Sequence, residues 1–101
     1  KCTLKMNPTS TAGEVQLTGA IVTVTPGADA DVLVLPPVGQ SKGLALYVVN
    51  MDDNHSIVLQ YTNASGSDVA LSLGAAAIQD EELAVCVCDG VYWYSGSALS
   101  T

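Results

Sequence analysis

Near the C-terminus the chain reads AVCVCDGVYWYSG, residues 84 to 96. Two cysteines stand one residue apart, followed by an Asp-Gly step and the single tryptophan between two tyrosines. A thiolate metal site would need further ligands, and a disulfide between Cys86 and Cys88 would need a turn between them. A strand instead sets these two side chains next to each other on one face. With Cys2 they make an odd set of three. The thiols therefore read as small buried apolar groups in a protein assembled in a reducing cytoplasm.

The only histidine, His55, follows Asp52, Asp53 and Asn54 in the segment MDDNHS. These residues offer oxygen donors without the spacing of a calcium loop, and the segment reads as a solvated turn. Asp80, Glu81 and Glu82 lie in one run, whereas glycoside cleavage needs two carboxylates facing each other across a cleft. They read as an acidic face in water that would orient a basic partner. No Gly-x-Ser-x-Gly elbow, phosphate-cradling glycine loop or Cys-His pair with a third group is present. The expectation is a non-enzyme with no catalytic residue, cofactor or metal.

With 101 residues the chain is sized for one domain. Hydrophobic residues make up 49% and charged residues only 13%, about half the usual charged share of ~25%, so part of the surface is expected to be covered. A net charge of −7 argues against nucleic acid, whose binders need basic patches. No apolar run approaches the ~20 residues of a membrane span, and KCTLKMNPTS lacks a signal-peptide core. A soluble chain is expected. Beginning at Lys1 rather than Met leaves its true N-terminus open.

Period-two alternation broken by Gly, Pro, Asn and Asp recurs about every ten residues, the rhythm of an all-β fold. Strands are expected around Val15–Leu17, at Ala20–Thr25, Asp31–Leu35, Leu44–Asn50, Ser56–Thr62 and Val69–Leu73, and in the two arms of a C-terminal hairpin. LALYVVN is apolar on both faces and reads as central. Asn63-Ala64-Ser65 forms a glycosylation triplet within a turn. Ala75–Leu83 is rich in helix formers but too short to stand alone, so a turn of helix or an acidic loop is expected. The fold class that results is all-β: a single compact antiparallel β-sandwich, jelly-roll-like, of about seven or eight short strands. Residues 1–13 would form an N-terminal arm and residues 14–101 the domain.

Asp89-Gly90 between alternating runs predicts a two-residue type I′ turn. Cys88 would then face Val91 and Cys86 face Trp93 on one side, with Val87 facing Tyr92 and Val85 facing Tyr94 on the other. Neither side is polar, so both should be covered: one by the domain's own second sheet, the other by a crossing loop or a neighbouring subunit, where tyrosine and tryptophan are favoured.

The succession LPPVGQSKGLALYVVN, SIVLQ, a Gly-containing loop and LAVCVCDGVYWY, within residues 31 to 94, resembles small β-sandwich virion proteins of tailed bacteriophages. These include capsid decoration (cement) proteins and fibre-type domains. The resemblance implies a virion structural protein, most simply a decoration protein that forms a homotrimer, binds the major capsid protein or another virion protein and stabilises the shell. It would be assembled in the host cytoplasm and end on the capsid surface. The alternative is a head-fibre or tail-fibre/collar domain recognising a host receptor or glycan, with Tyr92, Trp93 and Tyr94 as an exposed aromatic platform. The expected subunit or capsid interface comprises Tyr92, Trp93, Tyr94, Val85 and Val87, with Lys1 and Lys5 on an arm that reaches an acidic surface.

Overall fold

The alternating runs become strands, because alternation lets one set of side chains leave water while the backbone pairs laterally. The computed structural model describes residues 1–6, 11–71, 73–74 and 77–100. Residues 7–10 of the expected arm, residue 72 of the expected strand at 69–73 and residues 75–76 of the expected helical turn lie outside the described residues.

Eleven strands occur among the described residues: β1 Cys2–Lys5, β2 Glu14–Gln16, β3 Ile21–Val24, β4 Asp31–Leu35, β5 Ala45–Asn50, β6 Ile57–Thr62, β7 Asp68–Ala70, β8 Leu73–Gly74, β9 Ala77–Ile78, β10 Glu82–Cys88 and β11 Trp93–Ser100, with one 3-10 turn at Val38–Gln40. They form two mixed sheets. One has the order β2-β1-β4-β6-β7 with β9 also on β6, and the other has the order β3-β5-β10-β11-β8. Leu4, Leu33, Leu35, Ile57, Leu59 and Tyr61 of the first share one buried cluster with Leu46, Val48, Ala84, Cys86, Cys88 and Trp93 of the second. The radius of gyration, 12.3 Å, is near the ~13 Å of a 100-residue domain.

The expected antiparallel arrangement is corrected. β1 is parallel to both β2 and β4, β4 to β6, β3 to β5, and β8 to β11. For β3/β5 and β4/β6 the reason is the route of the chain. Between β3 and β5 it crosses as β4 in the opposite sheet, and between β4 and β6 it crosses as β5. Two reversals restore the original direction, so a strand serves as the crossover that parallel neighbours need. This also accounts for the apolar run DVLVL: on β4, Leu33 and Leu35 join the common core, while Val34 is buried outside that cluster.

Part of the expected arm, Cys2–Lys5, is a strand held between β2 and β4. CTLK alternates, and Leu4 is buried in the core. In the segment 77–83 the structure shows β9, a turn at Asp80-Glu81 and the start of β10 rather than a helix. Glu82 closes this turn by accepting from the Gln79 amide at 3.2 Å.

The hairpin is present with a different loop. Cys88 pairs with Trp93, Val87 with Tyr94 and Cys86 with Ser95, which leaves residues 89–92 as the connection. Type I′ geometry needs positive φ at both central residues, and of this pair only Gly90 has it, at +96°. The Asp89 carboxylate explains the longer loop, since its Oδ1 accepts from the amides of Val91 and Tyr92 at 2.8 Å each. The register is shifted by two residues, so the side chains that stay in the two strands keep their predicted faces, while Val91, expected beside Cys88, is exposed in the loop.

Candidate functional site

The groups most able to do chemistry are used structurally. Cys86 and Cys88 point into the core as free thiols, and burial pushes Cys86 up to about 12, which removes the thiolate that nucleophilic or ligand chemistry needs. Cys2 is also free, and partial burial raises its pKa. His55 Nδ1 lies 3.0 Å from Asp52 Oδ2; this contact raises the His55 pKa and lowers that of Asp52. The adjacent Ser56 hydroxyl does not serve His55. It donates to Asp29 Oδ1 at 2.9 Å, as does the Ser56 amide. This corner is a loop clamp joining the β3–β4 and β5–β6 connections. Among the described residues no group of three His, Cys, Asp or Glu is placed to hold a metal ion.

The feature left unaccounted for is the outer face of the β3-β5-β10-β11-β8 sheet. Its registers place Ile21, Tyr47, Val85 and Gly96 in one row across four strands. On one side lies the row Ala45, Val87 and Tyr94; on the other, Thr23, Val49 and Leu83. No charged residue stands at these positions. Ile21 is 70% exposed, Tyr47 43% and Val87 41%. A solvated face of a sheet carries polar side chains as a rule, and here Thr23 and the tyrosine hydroxyls stand among otherwise apolar residues.

Tyr92 extends the patch from the hairpin loop, its ring meeting that of Tyr94 edge-on with centroids 6.4 Å apart. Tyr94 donates its hydroxyl proton to Asp89 Oδ2 at 2.6 Å. That bond, with the two loop amides, holds Asp89 down to about 2 and pushes the Tyr94 phenol up. Gly90 is fixed from the other side. A side chain there would lie 3.2 Å from the Lys42 stem, in a backbone conformation that other residues resist.

Of the residues expected at an interface, Val85, Val87, Tyr92 and Tyr94 come together here. Trp93 does not. It is wholly buried, and its Nε1 donates to the Pro36 carbonyl at 2.8 Å; in a strand, the residue before an outward tyrosine must face inward. The platform of three exposed aromatics is thereby overturned. Lys1 and Lys5 sit at the other sheet, where Lys1 Nζ pairs with Asp68 at 2.9 Å and Lys5 Nζ with Glu14 at 3.6 Å. They are engaged with carboxylates of their own chain. Sequence reasoning missed Ile21 and Tyr47. Their outward alternation in AIVTVT and LALYVVN was visible, but only the register puts them in one row with Val85. Comparison of the chain with family models, with curated proteins and with solved structures gave no match.

Proposed function

We propose that the chain is a structural protein of a virion, a capsid decoration protein of the tailed-bacteriophage kind that assembles as a homotrimer on the major capsid protein or another virion protein. Its two sheets are read as a β-sandwich in which strands alternate between layers, in place of the antiparallel jelly roll expected from sequence. The observation that carries this reading is the uncharged, exposed outer face of the β3-β5-β10-β11-β8 sheet. Contiguous apolar surface of that kind serves contact with other macromolecules. The resemblance across residues 31 to 94 supplies the class. Catalysis, cofactors, nucleic acid and membrane have no part in this reading, and a net charge of −7 opposes phosphate contact.

The mechanism is mass action. A protein that binds only the assembled lattice lowers the free energy of that lattice, and so stabilises the shell without chemistry. The other reading, a head-fibre or tail-fibre/collar domain that recognises a host receptor or glycan, keeps the exposed Tyr47 and Tyr92 and the half-buried Tyr94 but loses Trp93 to the core. Immunogold labelling of virus particles from cells that encode the chain separates the two. Label over the shell is expected, label confined to the tail favours the fibre reading, and particles without label sink both.

A further inference from the structure

We propose that the outer face of the β3-β5-β10-β11-β8 sheet is the surface through which copies of this chain meet one another. The inference rests on the reading that the chain works by assembly, and it assigns the occupant of the face. The argument begins with charge. Each copy carries −7, so two copies approach against repulsion that acts over a Debye length of ~8 Å at physiological salt. A basic partner would be met by carboxylates, and this face has none at its outward positions. An uncharged surface on an acidic molecule is instead the place where a second acidic molecule can be tolerated. The carboxylate at its margin, Asp89, is turned onto its own loop and Tyr94.

Area sets the strength. Four strands at a spacing of ~4.8 Å and three rows of outward residues, ~7 Å apart along the strands, cover roughly 400 Å², about half of the ~800 Å² that each partner contributes to a standard interface. The remainder can come from the ends, where Met51 follows β5 and Val91 and Tyr92 cap the hairpin, all exposed. A dissociable oligomer follows, with a dissociation constant on the order of micromolar.

The test is sedimentation velocity of the chain from about 1 to 100 µM, repeated for Val87→Glu, Val87→Lys and Ala70→Glu. Circular dichroism and thermal melting would verify that each variant folds. Ala70 is exposed on β7 of the other sheet. The expected result is an oligomer that dissociates on dilution, weakened at least ~10-fold by both Val87 variants, because either charge would be buried in the contact. Ala70→Glu should change it little. A chain that stays monomeric throughout, leaving the face to a different protein or to a glycan, overturns the inference. So do Val87 variants that associate like the parent, or a Val87→Lys that tightens association while Val87→Glu weakens it, since that pattern means net charge and not this surface governs. Labelling of virions tests the assembly reading independently, so the failure of either is distinguishable from failure of the other.

Discussion

The two sheets have inner faces of the same kind and outer faces that differ in charge. On the β2-β1-β4-β6-β7 sheet, the row away from the core runs Glu14, Thr3, Val34, Gln60 and Ala70. Near it Lys5 pairs with Glu14, and Asp68 takes both the Lys1 ammonium and the Thr62 hydroxyl, the latter at 3.1 Å. This face is mixed: charged pairs stand along its edges, while Val34 is buried and Val32 and Val58 are half-buried between them. On the other sheet the corresponding rows hold Ile21, Tyr47, Val85, Val87 and Tyr94 with no charge among them. Inward alternation is thus a requirement of folding that both sheets meet in the same way, whereas the outward positions are free of that requirement and record what each face is meant to touch.

The largest contrast is expected within one strand. Trp93→Ala removes a buried ring and leaves the Pro36 carbonyl without its donor, and should cost about 3–5 kcal/mol. Tyr94→Ala, one residue on and facing outward, should cost no more than about 1 kcal/mol. Urea denaturation measures both at a concentration where the chain is monomeric, and equal costs would break the division into inner and outer faces. Tryptophan emission should be blue and resistant to quenching for the same reason.

Asn50 tests how the inner side is closed at the β5 end. Its Nδ2 donates to the carbonyls of His55 at 2.7 Å and Gln79 at 3.1 Å, and its Oδ1 accepts from the Asp52 amide at 2.9 Å. Asn50→Ala strands these buried groups at about 1–3 kcal/mol, measurable as a lowered melting temperature. On the charged edge of the other sheet, Lys5→Ala removes a half-exposed pair with a long 3.6 Å contact and should change stability by less than about 1 kcal/mol. A larger loss would mean that this charged edge carries structure, and would blur the comparison.

The smallest effects are those of pH, and they act with opposite sign at the two ends of the apolar face. At the hairpin loop Asp89 is held down to about 2, so its contribution is present above the ordinary carboxylate value of ~3.9 and is lost as pH falls toward 2. Exchange of the Val91 and Tyr92 amides should show that loosening only in strong acid. At the β5–β6 loop His55 is raised by Asp52. Its contribution is present below the ordinary ~6.5 and is lost as pH rises through the raised value. A histidine titration by NMR that moves below ~6.5 would refute this assignment.

Much of the strand content was legible. DVLVL, LALYVVN and SIVLQYT announce β4, β5 and β6 within a residue or two, because apolar and β-branched residues fit a pleated surface packed on a core. The hairpin was legible in its faces but not in its loop. A register error of two preserves period-two parity, so Cys86, Cys88 and Trp93 were grouped correctly while the turn was taken as too short. β1 was legible in principle from the alternation of CTLK, but two lysines in a polar start masked it. Part of the candidate face was readable in Val85, Val87 and Tyr94, whereas Ile21 and Tyr47 could join it only once strand neighbours were known.

What the sequence by itself determined is that this chain forms strands, which of their side chains leave water, and that one hairpin has no polar side. These are local matters of side-chain type and period. Strand direction, sheet order and the gathering of four strands' outward residues into one uncharged face were decided only by the tertiary structure. Alternation reads the same in parallel and antiparallel pairs, and it says nothing of which distant strand lies alongside; that choice is made by the crossing of the chain between two layers around a shared core.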